Sequence, residues 1–191
     1  MLSLYNVIII MIDGGRYDRS INSDFYKKLK EKSSFFSQPI TYAPHTIAAM
    51  HAVFSGCYGI RTGTDSYWST YRFKKNQFKT ITEYLHDQNY YTSADIVSEI
   101  VIPKQGFDEF QIHDEEKDDL TLRHLELIEK TYANNKNKNF FLYLQFSDIH
   151  TGISNEVLQV YDNFSEEYFQ NKKLNKKRYD ELFKKSEFYL D

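Results

Sequence analysis

The sequence predicts an α/β fold, a largely parallel central sheet with helices on both faces, and three observations carry that expectation. Val7-Ile-Ile-Ile-Met-Ile12 is a continuous, mostly β-branched apolar run, which suits a parallel strand covered on both faces better than a half-exposed one. Phe140-Phe-Leu-Tyr-Leu-Gln-Phe146 repeats that character late in the chain. Between them lie segments of helical periodicity with recognisable start and stop signals, the alternation that sets parallel strands side by side.

Each element has a local reason. Ser23 or Asn22 can cap a helix running through Phe25, Leu29 and Lys32, and Phe35-Phe36 opens an extended piece that ends near Pro39. Pro44 precedes a helix from Thr46 to Phe54, stopped by Ser55-Gly56. Thr80-Ile-Thr-Glu83 is a capping box, followed by an apolar stripe of Ile81, Tyr84 and Leu85. Tyr90 to Val97 reads as a strand. The acidic run Asp114 to Asp119 then leads into a helix expected to turn Leu122, Leu125, Ile128 and Tyr132 inward. Asn134 to Asn139 is a polar turn before the second apolar strand, and Lys177 to Leu190 is expected to close the chain as a helix.

A length of 191 residues fits a single domain over 1–191 with a sizeable core. A formal charge of −3 and a pI near 6.1 give no electrostatic case for nucleic acid. The lone Cys57 excludes an intrachain disulfide and a cysteine-rich zinc site, and its plain reading is a small packing residue. The N-terminal apolar run is too short to span a membrane and lacks a basic leader and a cleavage site, so a cytoplasmic location is expected. The 16 Tyr and 15 Phe are read as packing, not as a stacking surface for bases.

Two places carry chemistry. Asp13 is the first charged residue after the leading strand and is followed by Gly14 and Gly15. Ligands collect at the carboxyl ends of strands in open α/β sheets, so this carboxylate either holds a metal ion or caps the turn that follows. Thr46 stands at a helix start, where backbone N–H groups and the helix dipole favour an anion or an alkoxide; its alternative is a simple cap. His45 and His51 flank it, and His45 could face the same anion. His86, His113 and His124 sit in polar or helical contexts and read as structural, and Arg16 and Asp18 as a surface ion pair.

Taken in order, a strand ending in Asp13-Gly-x-Arg-x-Asp18, a helix-start segment from Pro44 to Gly63 with Ser55-Gly56 inside it, and a strand ending in Asp148-x-His150 resemble the sulfatase branch of the alkaline phosphatase superfamily. Ile81 to Ala94 with Gly106-Phe107-Asp108 resembles the family's helix, strand and GFD turn. The resemblance implies an alkaline phosphatase-like fold and a hydrolase or transferase acting on small-molecule or glycan sulfate or phosphate esters. It further implies a metal ligand at Asp13, a nucleophile and metal contact at Thr46, and a histidine at His150 that meets the transferred anion or leaving group; His45 is a candidate substrate contact. The cofactor implied is a divalent ion, with Ca, Mg, Mn and Zn not distinguished.

The sequence also departs from the family pattern. The Cys/Ser-x-Pro-Ser-Arg core that is oxidised to formylglycine is replaced by Thr46-Ile-Ala-Ala-Met50, so no formylglycine is expected, and threonine nucleophiles occur in relatives that act on phosphoryl groups. Gly14 stands where many sulfatases have a second acidic ligand. The family pattern continues past a segment like Tyr179 to Asp191 into a strand ending in Ser-Asp-His-Gly that supplies further metal ligands. The expectation is therefore a truncated chain with an incomplete metal site, which either works with a separately encoded C-terminal half or serves as a binding module.

Overall fold

A computed structural model describes residues 5–66, 69, 72–154 and 172–191. Its strands are β1 (Val7–Ile12), β2 (Tyr91–Ile96), β3 (Glu109–Ile112) and β4 (Phe140–Phe146), in the order β1-β4-β2-β3. β2 pairs in parallel with both β3 and β4, in registers that set Ala94 beside Phe110 and Tyr143. The helices among the described residues are α1 (Tyr17–Ser20), α2 (Asp24–Glu31), α3 (Thr46–Ser55), α4 (Gly59–Thr62), α5 (Ile81–Asp87), α6 (Leu120–Asn134), α7 (Asp148–Gly152) and α8 (Lys172–Leu190). None is long and apolar enough to cross a membrane.

The two apolar runs form strands, but they hold different places. Every residue of β4 is buried, as a strand covered on both faces must be. β1 lies at the sheet edge among the described residues, with Val7, Ile8 and Ile10 each more than a third exposed. Its composition matches a central strand, and only its position differs.

Local signals were largely obeyed. Ser23, not Asn22, caps α2 by accepting from the Tyr26 amide at 3.3 Å. The Thr80–Glu83 capping box is complete in both directions. Gly56 ends α3 in the left-handed region at φ 63°. The piece after Phe35-Phe36 forms no strand, and Phe36 and Ile40 are largely exposed. α6 turns a different face inward: Leu120, His124, Leu127 and Thr131 are buried, whereas Leu122, Leu125 and Tyr132 are more than half exposed. The spacing is helical in either case. Two polar residues on the buried face concealed it from a reading based on hydrophobicity. α8 begins five residues earlier than expected, at Lys172; residues 155–171 before it lie outside the described set.

The chain divides into two compact units, Met1–Met11 with Pro39–Asp114 and Leu122–Gln145, and Ile12–Gln38 with Glu115–Thr121 and Phe146–Asp191. The core of the first holds Phe54, Tyr90, Ala94, Ile96, Phe141 and Tyr143. Phe54 is its hub, meeting Tyr143 edge-on at 5.2 Å and lying 6.1 Å from Phe107. The turn at Gly106-Phe107-Asp108 is locked to β2: Thr92 donates from its amide to the Asp108 carboxylate at 2.8 Å and from its hydroxyl to the Gly106 carbonyl at 2.6 Å. The core of the second unit holds Leu120, Phe146, Ile149, Tyr179 and Phe183. There α7 meets α8 at Gly152, where a Cβ would come within 2.4 Å of Leu182.

Gly106 has φ +79°, and a Cβ there would lie 2.4 Å from the Glu83 amide nitrogen, a rigid backbone neighbour. Gly106→Ala is expected to lose about 2–3 kcal/mol from combined left-handed strain and backbone clash, read from the urea midpoint. Gly56→Ala meets no neighbour within 4 Å and should lose less, about 1 kcal/mol.

Candidate functional site

The carboxyl ends of β1 and β4 meet in the second unit. The Asp13 amide donates to the Phe146 carbonyl at 3.0 Å, so the chain leaves both strands side by side. Gly14 then adopts φ +79°, and a Cβ there would stand 3.1 Å from the His150 amide nitrogen, so the turn lies tight against α7. The Tyr179 hydroxyl donates to the Gly14 carbonyl at 2.7 Å. Burial pushes that phenol up to about 12, so it remains a donor throughout the ordinary pH range. Beside it Arg16 and Arg19 lie 5.4 and 5.7 Å from the Tyr179 ring centre, and Asp18 bonds both arginines. Arg19 also reaches Asp180 of α8. Arg16 and Asp18 are thus a surface ion pair, as expected, with the added task of tying the Asp13 turn's downstream segment to α8. Asp13 is half-buried and His150 exposed.

Thr46 and His45 belong to the first unit. His45 is the N-cap residue of α3, its Nδ1 accepting from the Ala48 amide at 3.4 Å, and Thr46 is the first helical residue. The helix start is therefore capped by the imidazole and not by the threonine hydroxyl. An Nδ1 that accepts places the proton of a neutral imidazole on Nε2. One turn further, His51 is buried, with Nε2 donating to the Ile100 carbonyl at 3.2 Å and its ring edge on Phe73 at 5.3 Å. It packs the helix.

A hard divalent ion takes about six oxygen ligands, and zinc about four partners. Among the described residues the group of three or more His, Cys, Asp or Glu side chains in mutual reach is Asp95, His113 and His124; Asp13 belongs to no such group.

The Asp95 group escaped the sequence reading. Asp95 sits in β2 at 0% exposure, His113 follows β3, and His124 lies on the buried face of α6. Asp95 Oδ1 takes a hydrogen bond from His113 Nδ1 at 2.7 Å, and Oδ2 one from Arg123 Nε. Burial pushes the Asp95 carboxyl up, but the His113 and Arg123 hydrogen bonds outweigh it and hold the group below the usual carboxylate range. Burial also depresses His124 to about 4, so that imidazole is neutral near pH 7. The available signal was a carboxylate inside an otherwise uncharged strand, Tyr91-Thr-Ser-Ala-Asp-Ile96, which demands buried partners.

With this geometry in view, comparison with known proteins is decisive about ancestry. A family model described as Sulfatase matches residues 5–186. The chain belongs to the sulfatase family. Among solved structures, this sulfatase-family chain is similar to BT4656 in complex with its substrate D-glucosamine-2-N,6-O-disulfate, at 15% identity and a TM-score of 0.58. The match covers 82% of this chain and 38% of that one, so the sulfatase segment present here spans well under half the length of the solved protein. At that identity the likeness establishes the fold, a parallel sheet with helices. No curated protein sequence matches significantly.

His51 yields a pH test. Burial lowers its pKa below 6.5, and the bond to Ile100 only partly opposes this. Its folded pKa lies below the unfolded one, so its contribution to stability is complete above about pH 6.5 and is lost as pH falls toward the folded value. The expected slope there is at most about 1.4 kcal/mol per pH unit from this group. His51→Gln should reduce the acid-side slope of urea stability between pH 6.5 and 5; an unchanged slope would count against the burial argument.

Proposed function

We propose that this chain is the nucleophile-bearing part of a hydrolase of sulfate or phosphate esters, with Thr46 as the attacking residue. The observation that carries the reading is Thr46 at the first position of a ten-residue helix in a sulfatase-family chain, directly after a histidine that caps that helix. The amides of a helix start favour the negative charge of an oxyanion or a sulfuryl or phosphoryl group. His45, with its proton on Nε2, is suited to donate to such a group, and exposed His150 is assigned to the leaving oxygen. Attack would form a bond from Thr46 Oγ1 to sulfur or phosphorus and release the alcohol, leaving an esterified threonine for water to cleave.

Asp13 is assigned one metal-ligand position, the rest coming from outside the described residues. A threonine hydroxyl is a poor nucleophile near neutrality without help. Full activity is therefore proposed for the completed protein, not for this segment alone. The solved relative's sulfated amino sugar makes sulfated sugars a class to test beside simple phosphate monoesters.

A second reading is favoured by a specific observation, the edge position of β1 among the described residues, with Val7, Ile8 and Ile10 partly exposed. A partly exposed apolar edge strand is a surface that can accept a partner. It suits a chain that needs a C-terminal partner or continuation, or one retained as a binding module.

Sulfate and phosphate monoester hydrolysis should be measured for this chain alone and joined to the reading frame downstream. Activity confined to the extended protein is expected, and Thr46→Ala there should lower kcat by about 1,000-fold or more while Thr46→Ser retains part of it. Thr46→Ala with unchanged turnover removes the nucleophile assignment. Ester binding without turnover in either form would favour the binding module.

A further inference from the structure

We propose that Asp95, His113 and His124 form a binding site for a zinc-class divalent transition metal, one that fastens β2, the chain after β3 and α6 together. This site is separate from the nucleophile assignment and does not rest on it. One ligand atom from each of the three side chains lies within 4.8 Å of the others, and all three residues are buried. Tetrahedral zinc with bonds near 2.0–2.1 Å needs ligand atoms about 3.3 Å apart, so the cluster is within small side-chain adjustments of a binding geometry. Two imidazoles and one carboxylate select zinc, cobalt, nickel or iron(II) over magnesium and calcium, which prefer oxygen donors.

The proton arrangement suits exchange for a cation. Asp95 Oδ1 and His113 Nδ1, 2.7 Å apart, share a proton. An ion binding between them would release that proton and leave both atoms as donors, after they separate by a few tenths of an ångström. The His113 and His124 rings stand 6.1 Å apart, centre to centre, and are inclined by 69°, which lets a nitrogen of each address a shared point.

Arg123 is the competitor. Its Nε holds Asp95 Oδ2, while Nη2 lies 3.3 Å from Gln111 Oε1 and 3.4 Å from the Ile112 carbonyl. The guanidinium neutralises Asp95 without a metal, and a divalent ion beside it would add like charge. The Arg123 side chain is 30% exposed, so it has a path to withdraw toward solvent when an ion binds. This produces an unusual sign: removing a hydrogen-bond partner of the ligand should strengthen binding.

The test uses the purified chain after chelator treatment, titrated with Co(II) for its visible absorption and with Zn(II) for its thermal shift. One equivalent of Co(II) should give a d–d band displaced by Zn(II), and Zn(II) should raise Tm. Asp13→Asn in the same assay removes any strand-end contribution. Asp95→Asn and His124→Gln should abolish the band in protein that remains folded by circular dichroism, and Arg123→Gln should tighten Co(II) binding at least tenfold. Lack of a band and of a Zn(II) shift in the folded wild type overturns the site, as does an undiminished band in folded His124→Gln. Should the ligand variants fail to fold, Arg123→Gln decides: tighter binding supports the site, and unchanged or weaker binding refutes it.

Discussion

Complete burial of β4 is the constraint on which the rest depends. Seven consecutive residues, Phe140 to Phe146, are removed from solvent, so every backbone N–H and C=O in the strand must find a partner in a neighbouring strand. The neighbours on its two sides are β1 and β2. Once that ladder is set, the strand ends are set too. Asp13 emerges beside Phe146, and the polar residues Ser147, Asp148 and His150 follow at the same rim. The chemistry-bearing positions are consequences of strand pairing before they are matters of side-chain identity.

Burial also governs the first unit's polar centre. A carboxylate in the middle of β2 costs several kcal/mol in isolation, so Asp95 persists only because His113 and Arg123 bond it. His124 lies on the buried face of α6 near them, while Leu122, Leu125 and Tyr132 face solvent. The buried face of α6 carries Leu120 and Leu127 together with His124 and Thr131, so its leucines alone do not mark the inward side. The second unit solves a smaller problem in the same manner, with Tyr179 bonding the Gly14 carbonyl and two arginines over its ring.

Much of this was legible because the signals are local. The Thr80–Glu83 capping box, the Ser23 cap, the Gly56 stop and the β2 and β4 runs need only a few consecutive residues to specify them. The family resemblance carried by Asp13, Thr46, Gly106-Phe107-Asp108 and His150 agrees with the sulfatase match over 5–186. The capping role of His45 was not legible, because a histidine seldom takes the place that Ser, Thr, Asp or Asn fill. Nor was the Asp95 cluster, whose members are separated by 18 residues and then by 11 along the chain.

The sequence by itself determined the longer helices, the strands β1, β2 and β4, their α/β alternation and the family, since hydrophobic period, caps and turn residues act over short stretches of chain; β3 and the short helices α1, α4 and α7 were not marked in it. Only the tertiary structure decided that β1 is the edge and β4 an inner strand among the described residues, because strand order depends on which surfaces find partners and not on either strand's composition. It alone decided which face of α6 is buried. It alone brought Asp95, His113 and His124 together, because the energy of a buried charge is settled by neighbours that the chain order does not reveal.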